Sequence, residues 1–364
     1  MAKYEGLSKS FKPDWKGLVD NILRKDTPKR VYHMELFHDG EVADAIAERF
    51  GLARNLDKNA PYYRYALMGR VNRFCGWDYV CVWPEGIDFK WHNVKTETDD
   101  AALKREGGRT FRDEHTGPIQ SWADFEKFPW PDVRSDAVTR PFEWCSKNIP
   151  EDMALIAFTG HICEELSWLF GYETLCYMLF DQPDLVQAVA DRICDMYETL
   201  IDRVLQFPRV KMVWATDDMG FKTGTLIAPP DMRKYVLGTH KMLAAKSHAT
   251  GRPYLLHSCG KLTEIIDDLI DDVKIDAKHS FEDTIEDVRQ VKHTYGRRIA
   301  MIGGLDVDFM CRSTEAAIRK RVRETLDVCL PGGGYCLGTG NSVANYIPLD
   351  NYLAMVDEGM LYAR

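Results

Sequence analysis

The sequence predicts an α/β fold built as a single (β/α)8 barrel, and three observations predict it. Short apolar runs alternate with stretches of helical periodicity, as in a parallel sheet with crossover helices. Eight such runs can be counted: 31–37, 79–83, 154–159, 210–216, 253–258, 273–278, 299–303 and 334–338. Polar residues able to do chemistry gather where several of the runs end, the position at which barrels carry their active sites. Eight runs are what closure requires, whereas an open doubly wound sheet more often stops at about five to seven strands.

Composition agrees with one large soluble unit. The chain has 364 residues, 45% hydrophobic and 28% charged, enough for a sizeable core, and 1–364 reads as one domain. Two elaborations are expected on it. An N-terminal arm, 1–29, has too few apolar residues for a core of its own and should dock through Phe11, Trp15 and Leu18. An insertion, 84–152, is long for one crossover and is expected to lie over the C-terminal face of the barrel and cap the site.

A net charge of −9 with dispersed Lys and Arg disfavours nucleic acid or an acidic membrane as partner, since either needs a basic surface. Neither a signal-like stretch nor a run of about 18 uncharged apolar residues is present, so a cytoplasmic protein is expected. The ten cysteines then read as reduced thiols, with Cys81, Cys176, Cys194 and Cys329 as small apolar residues.

The fifth run opens into Tyr254, Leu255, Leu256, His257, Ser258, Cys259 and Gly260. In extended chain, residues two apart share a side, so the imidazole and the thiol can reach one metal ion. Nitrogen and thiolate sulfur are preferred zinc ligands. A core histidine beside a buried cysteine is the plain alternative for the bare pattern, and the place at a strand end is what favours the metal. Further ligands must come from neighbouring strand ends: Cys336 from the last run, whose alternative is a small strand residue packed between barrel and helix, and Glu164 or Glu165 after the third. One carboxylate, one imidazole and two thiolates make a tetrahedral set in which one ligand can yield to substrate.

Five motifs carry a family resemblance by their order and spacing. They are Thr159-Gly160-His161 through Gly171-Tyr172-Glu173; Asp217-Asp218-Met219-Gly220 through Gly224; Leu256 through Gly260; Ile302-Gly303-Gly304-Leu305-Asp306; and Gly332 through Asn351-Tyr352. From Pro28 onward the chain resembles the uroporphyrinogen decarboxylase superfamily, especially its zinc- and cobalamin-dependent methyltransferase branch, and within it methyltransferase I of O-demethylase systems. The resemblance implies zinc on His257 and Cys259, with Glu164 matching the helix-start carboxylate better than Glu165. The later cysteine is less direct: in thiol-methylating relatives it often falls where this sequence has Asn341, while Cys336 lies earlier on the strand. The expected metal set is Glu164, His257, Cys259 and Cys336.

The implied chemistry is methyl transfer from a methoxylated aromatic to the cobalt of a separate corrinoid protein, with zinc as Lewis acid. Of the aromatic residues near the run ends, Phe37, Trp83, Trp91, Trp168, Trp214, Phe221 and Tyr346, about a third are assigned by position to a pocket suited to a flat substrate, and the rest to core or helix-barrel packing. Asp217, Asp218 and His279 are the candidate catalytic groups, and Asp217 or Asp218 could equally order a loop or cap a helix. Gly303 and Gly304 lack a dinucleotide fingerprint and read as tight strand-end geometry with close approach of backbone to ligand; with Asn341 they are taken to face the cofactor. The runner-up is a corrinoid protein:thiol methyltransferase of the coenzyme M type. A metal-free decarboxylase and a non-catalytic corrinoid-binding barrel follow. The oligomeric state is left open, a homodimer being one option.

Overall fold

The computed structural model describes residues 6–25, 27–87, 89–96 and 101–362. The remaining parts of the arm and insertion, 1–5, 26, 88 and 97–100, lie outside the described residues. The strands are β1 (Tyr79–Val82), β2 (Asn93–Thr96), β3 (Arg109–Arg112), β4 (Ala154–Thr159), β5 (Val210–Thr216), β6 (Tyr254–His257), β7 (Ala277–His279), β8 (Ala300–Ile302) and β9 (Tyr335–Cys336). Seven form one sheet in the order β1-β4-β5-β6-β7-β8-β9, all parallel, and β2 pairs with β3 as a separate antiparallel hairpin.

The first predicted run closes this sheet into a barrel. His33 bridges to both Trp77 and Leu337, one on each side. The Leu337 amide donates to the Tyr32 carbonyl at 2.8 Å and the Met34 amide to Leu337 at 2.9 Å. Pairing at this seam is sparse, and a cavity of about 310 Å3 lies there, lined among others by Leu36, Phe37, Cys81 and Trp83. The run 273–278 forms strand only at its end. Val273 still belongs to the helical turn Asp268–Val273, which Lys274 terminates in a left-handed conformation at φ 66°.

The crossover helices follow from their periodicity. In the helix Pro183–Val204, Leu185, Val189, Ile193, Met196, Leu200 and Val204 recur on one face, and all are buried. Proline at the first position costs no hydrogen bond there. Ten free cysteines are present: Cys81 and Cys329 are buried, Cys176 and Cys194 only half-buried. Among the described residues no helix is long and apolar enough to cross a membrane.

One row of register partners sets the geometry of the site: Thr216, His257, His279, Ile302 and Cys336. Barrel strands tilt by about 36° from the axis. Such a row therefore spirals, and over three strands spaced about 4.8 Å apart it moves roughly 8 Å along the axis.

The two elaborations lie at opposite ends. The helix Trp15–Ile22 of the arm covers the N-terminal ends of the strands: Leu18 and Ile22 are fully buried, and Asn21 donates to the Tyr335 carbonyl at 2.8 Å and accepts from the Gly334 amide at 3.0 Å. Trp15 is partly buried, and the guanidinium of Arg30 lies 4.6 Å over Phe11. The insertion divides in two. Its first half reaches residues beyond the strand ends: Leu103 exchanges hydrogen bonds with Asn345, and Gly117 donates to Phe170 at 2.7 Å. Its second half, with the helix Arg140–Asn148, runs down the outside of the barrel. There Arg209, just before β5, binds the carbonyls of Ser146 and Ile149, both at 3.1 Å. Only the first half is a cap; the second is the crossover into β4.

Candidate metal centre

His257 ends β6, Asp218 lies two residues beyond the end of β5, and Cys259 follows in the next loop. Their ligand atoms all lie within 4.8 Å of one another, the one such group of three among the described residues. His257 Nε2 is 3.5 Å from Cys259 Sγ and 3.3 Å from Asp218 Oδ1. Zinc bonds of about 2.0–2.1 Å to nitrogen and oxygen and about 2.3 Å to sulfur, at tetrahedral angles, separate nitrogen from sulfur by about 3.6 Å and from oxygen by about 3.4 Å. The spacing and chemistry of the three donors therefore fit that ion.

The loops are locked together from below. Asp218 Oδ1 accepts from the Cys259 amide at 2.9 Å, and Ser258 Oγ accepts from the Met219 amide at 3.0 Å. Gly260, at φ +82°, permits the approach: a Cβ there would sit 2.1 Å from the backbone of Gly220. The thiol receives two donors, Asn341 Nδ2 at 3.2 Å and Ser280 Oγ at 3.5 Å. Ser280 holds φ 85°, a strained conformation for a residue with a side chain.

Electrostatics couple the three groups. Burial alone lowers the affinity of His257 for a proton, but the charges of Cys259 and Asp218 outweigh it and raise the pKa to about 10. Burial likewise works to raise the Asp218 carboxyl, yet hydrogen bonds and charge from His257 and the Cys259 amide hold it well below the usual carboxylate range. His279, fully buried, contacts His257 Nδ1 to Nδ1 at 2.7 Å, and burial, reinforced by the nearby charges of His257 and Lys278, keeps it neutral.

Cys336 stands apart from this group. Its thiol faces Asn21 Nδ2 at 3.4 Å, is fully buried, and is pushed up by burial; the charges nearest it, Asp78, Arg30 and Lys292, precede strands rather than follow them. The spiral of the register row is the reason, since it carries Cys336 toward the N-terminal end of the barrel. Asn341, five residues on, reaches the mouth instead.

Glu164 is also outside the group. It binds His161 Nδ1 at 2.8 Å, while His161 Nε2 meets Thr216 Oγ1 at 2.9 Å. Burial raises its pKa, and the charges of Asp218 and Asp217 add to the rise, so it stands within electrostatic reach of the centre. Glu165 is buried and hydrogen-bonded to Tyr197 at 3.2 Å. Asp217 is committed to structure: its oxygens accept from the amides of Cys163 and Glu164, at 2.9 and 3.0 Å, and from buried His240 at 2.8 Å. It caps the helix Ile162–Phe170, whose first turn carries Glu164.

A family model described as Uroporphyrinogen decarboxylase (URO-D) matches residues 114–359, about two thirds of the chain. The chain belongs to the URO-D family. Its architecture is that of a solved methyltransferase from Methanosarcina mazei, with a TM-score of 0.68 at 15% identity over 96% of this chain and 98% of that one. A putative vitamin-B12 independent methionine synthase from Listeria monocytogenes is similar at a TM-score of 0.50 and 12% identity, covering 93% and 98% of the two chains. No curated protein matches the sequence.

On this URO-D barrel Gly303 and Gly304 do not present free amides. They donate to the carbonyls of Cys336 and Thr339, at 2.9 and 3.1 Å, so their amides are engaged in holding the strand ends together. Ser280, Thr339 and His240 support the site without any sequence signal that singles them out. Serine and threonine carry no spacing signal, and His240 sits inside a helix far along the chain from the carboxylate it serves.

Proposed function

We propose that this protein is a zinc-dependent methyltransferase that removes the methyl group of a methoxylated aromatic and passes it to the cobalt of a separate corrinoid protein. The observation that carries this is the donor set, one imidazole, one carboxylate and one thiolate, with an amide where a second thiolate would reach the group. Zinc bound there would act as a Lewis acid on the oxygen of the leaving group. A single thiolate that already accepts two hydrogen bonds donates little charge and suits that task better than a thiolate pair.

The chain's own residues do the rest. His257, Asp218 and Cys259 hold the ion, and Asn341 and Ser280 orient the thiolate. Trp91 and Trp168 meet edge to face at 5.3 Å under the guanidinium of Arg112, offering flat surfaces at the capped face. Val94 and Phe111, opposite one another on the hairpin, and Phe221 and Tyr346 beyond strand ends are exposed, which suits a protein partner covering the mouth.

The test mixes the zinc-loaded protein with a reduced corrinoid protein and a series of methoxylated aromatics, following the cobalt absorbance. Methylation of cobalt with at least one aryl ether is expected. Demethylation of methylcobalamin by a thiol, with no aryl ether active, would replace this reading by the thiol methyltransferase.

A further inference from the structure

We propose that His279 is a positioning residue that holds the proton of His257 on Nδ1, so that Nε2 of His257, facing Asp218 and Cys259, is the nitrogen whose proton a metal ion displaces. The inference rests on the metal centre described above and concerns what prepares it.

Two imidazole nitrogens 2.7 Å apart, His257 Nδ1 and His279 Nδ1, require that one donate and the other accept. The choice is made on the far side of His279. Its Nε2 is fully buried and makes no well-formed hydrogen bond, and the polar group beside it is the carbonyl of Thr339. A Cβ on Gly303 would sit 2.2 Å from that carbonyl oxygen and 3.2 Å from His279 Nε2, so both atoms crowd one point beside the glycine. A carbonyl only accepts, so the proton of neutral His279 belongs on Nε2, and its Nδ1 is left as an acceptor. His257 must then donate from Nδ1, and its Nε2 is the nitrogen left for a metal.

The carbonyl is itself held in place. Thr339 donates its amide to both carboxylate oxygens of Glu35, at 2.9 and 3.0 Å, and its hydroxyl lies 2.6 Å from Glu35 Oε2. Glu35 comes from the run that closes the barrel, Thr339 follows β9, and His279 and His257 end β7 and β6. The series Glu35, Thr339, His279, His257 thus ties the metal ligand to the barrel seam. It ends in a neutral imidazole rather than the carboxylate often found behind a zinc-bound histidine, which leaves the ion more electrophilic.

The test compares His279→Asn with His279→Leu. The Asn Oδ1 can replace Nδ1 as acceptor; leucine cannot. Zinc affinity is measured by competition with a chromophoric chelator, the ligand field by the visible spectrum of the cobalt(II)-substituted protein, and folding by Tm. His279→Leu is expected to weaken zinc by roughly 10–100-fold, the range for outer-shell partners, and His279→Asn by only a few-fold. Equal loss in both variants, or no loss in either, would overturn the proposal. A second measurement needs no variant: imidazole 15N correlation spectra of the zinc-loaded wild type should show the His257 proton on Nδ1, and a proton on Nε2 overturns it. A wild type that retains no zinc would instead remove the metal centre itself, and this inference with it.

Discussion

Cys259, just beyond β6, and Cys336, at the end of β9, belong to one barrel and meet opposite environments. Cys259, at the mouth, accepts hydrogen bonds from Asn341 and Ser280 and stands 3.5 Å from an imidazole nitrogen. Cys336, at the other end, is sealed beneath the arm helix beside Asn21, and burial pushes its thiol up, away from the thiolate a metal requires. The mouth collects polar groups with capacity to spare; the base spends its polar groups on closure, as with buried Asp78, which accepts from the Asp14 amide at 2.5 Å and pairs with Arg30. A cysteine's residue type therefore says little until its depth along the barrel is known.

The sharpest way to break this comparison is to delete each side in turn. A His257→Ala, Cys259→Ala double variant should lose essentially all of about one zinc per chain, whereas Cys336→Ser should retain it, both read by metal analysis of purified protein. Zinc loss in Cys336→Ser would bring the two ends into one site.

The next effect is on pH. In the metal-free cluster His257 holds a proton up to about pH 10, and the ion must displace it. Affinity should thus rise with pH, by about tenfold per unit between pH 6 and 8, with proton release on binding seen in weakly buffered solution. A flat profile would contradict the coupling of Asp218, His257 and Cys259.

Asn341→Cys moves a second thiol to the mouth. Tighter zinc binding is expected, with slower cleavage of aryl ethers because a second thiolate weakens the Lewis acid. Weaker binding in that variant would mean that residue 341 does not reach the ion. At the base, Leu18→Ala should cost about 2–5 kcal/mol of stability in denaturant unfolding, with zinc affinity unchanged. A parallel loss of zinc would show that the arm also shapes the mouth.

Much of the fold was legible because its signals are local. Each apolar run, from 79–83 to 334–338, left a strand, and 31–37, though reduced to bridges, closes the barrel. His257 and Cys259 were legible for the same reason: two residues apart on extended chain, they share a side whatever the rest does. The insertion was half legible, since its length announced extra chain but its apolar pattern could not separate a cap from a crossover helix.

What the sequence by itself determined is the succession of runs that build the barrel, the family pattern and the paired donors His257 and Cys259, all set by short-range periodicity and spacing. What only the tertiary structure decided is which distant residues join them. Asp218 rather than Glu164 completes the group of three, Asn341 rather than Cys336 reaches the thiol, and Asp217 is withdrawn into a helix cap. Those outcomes depend on the tilt of the strands and the stagger between them, which convert equal positions in register into different depths. No single strand encodes that stagger.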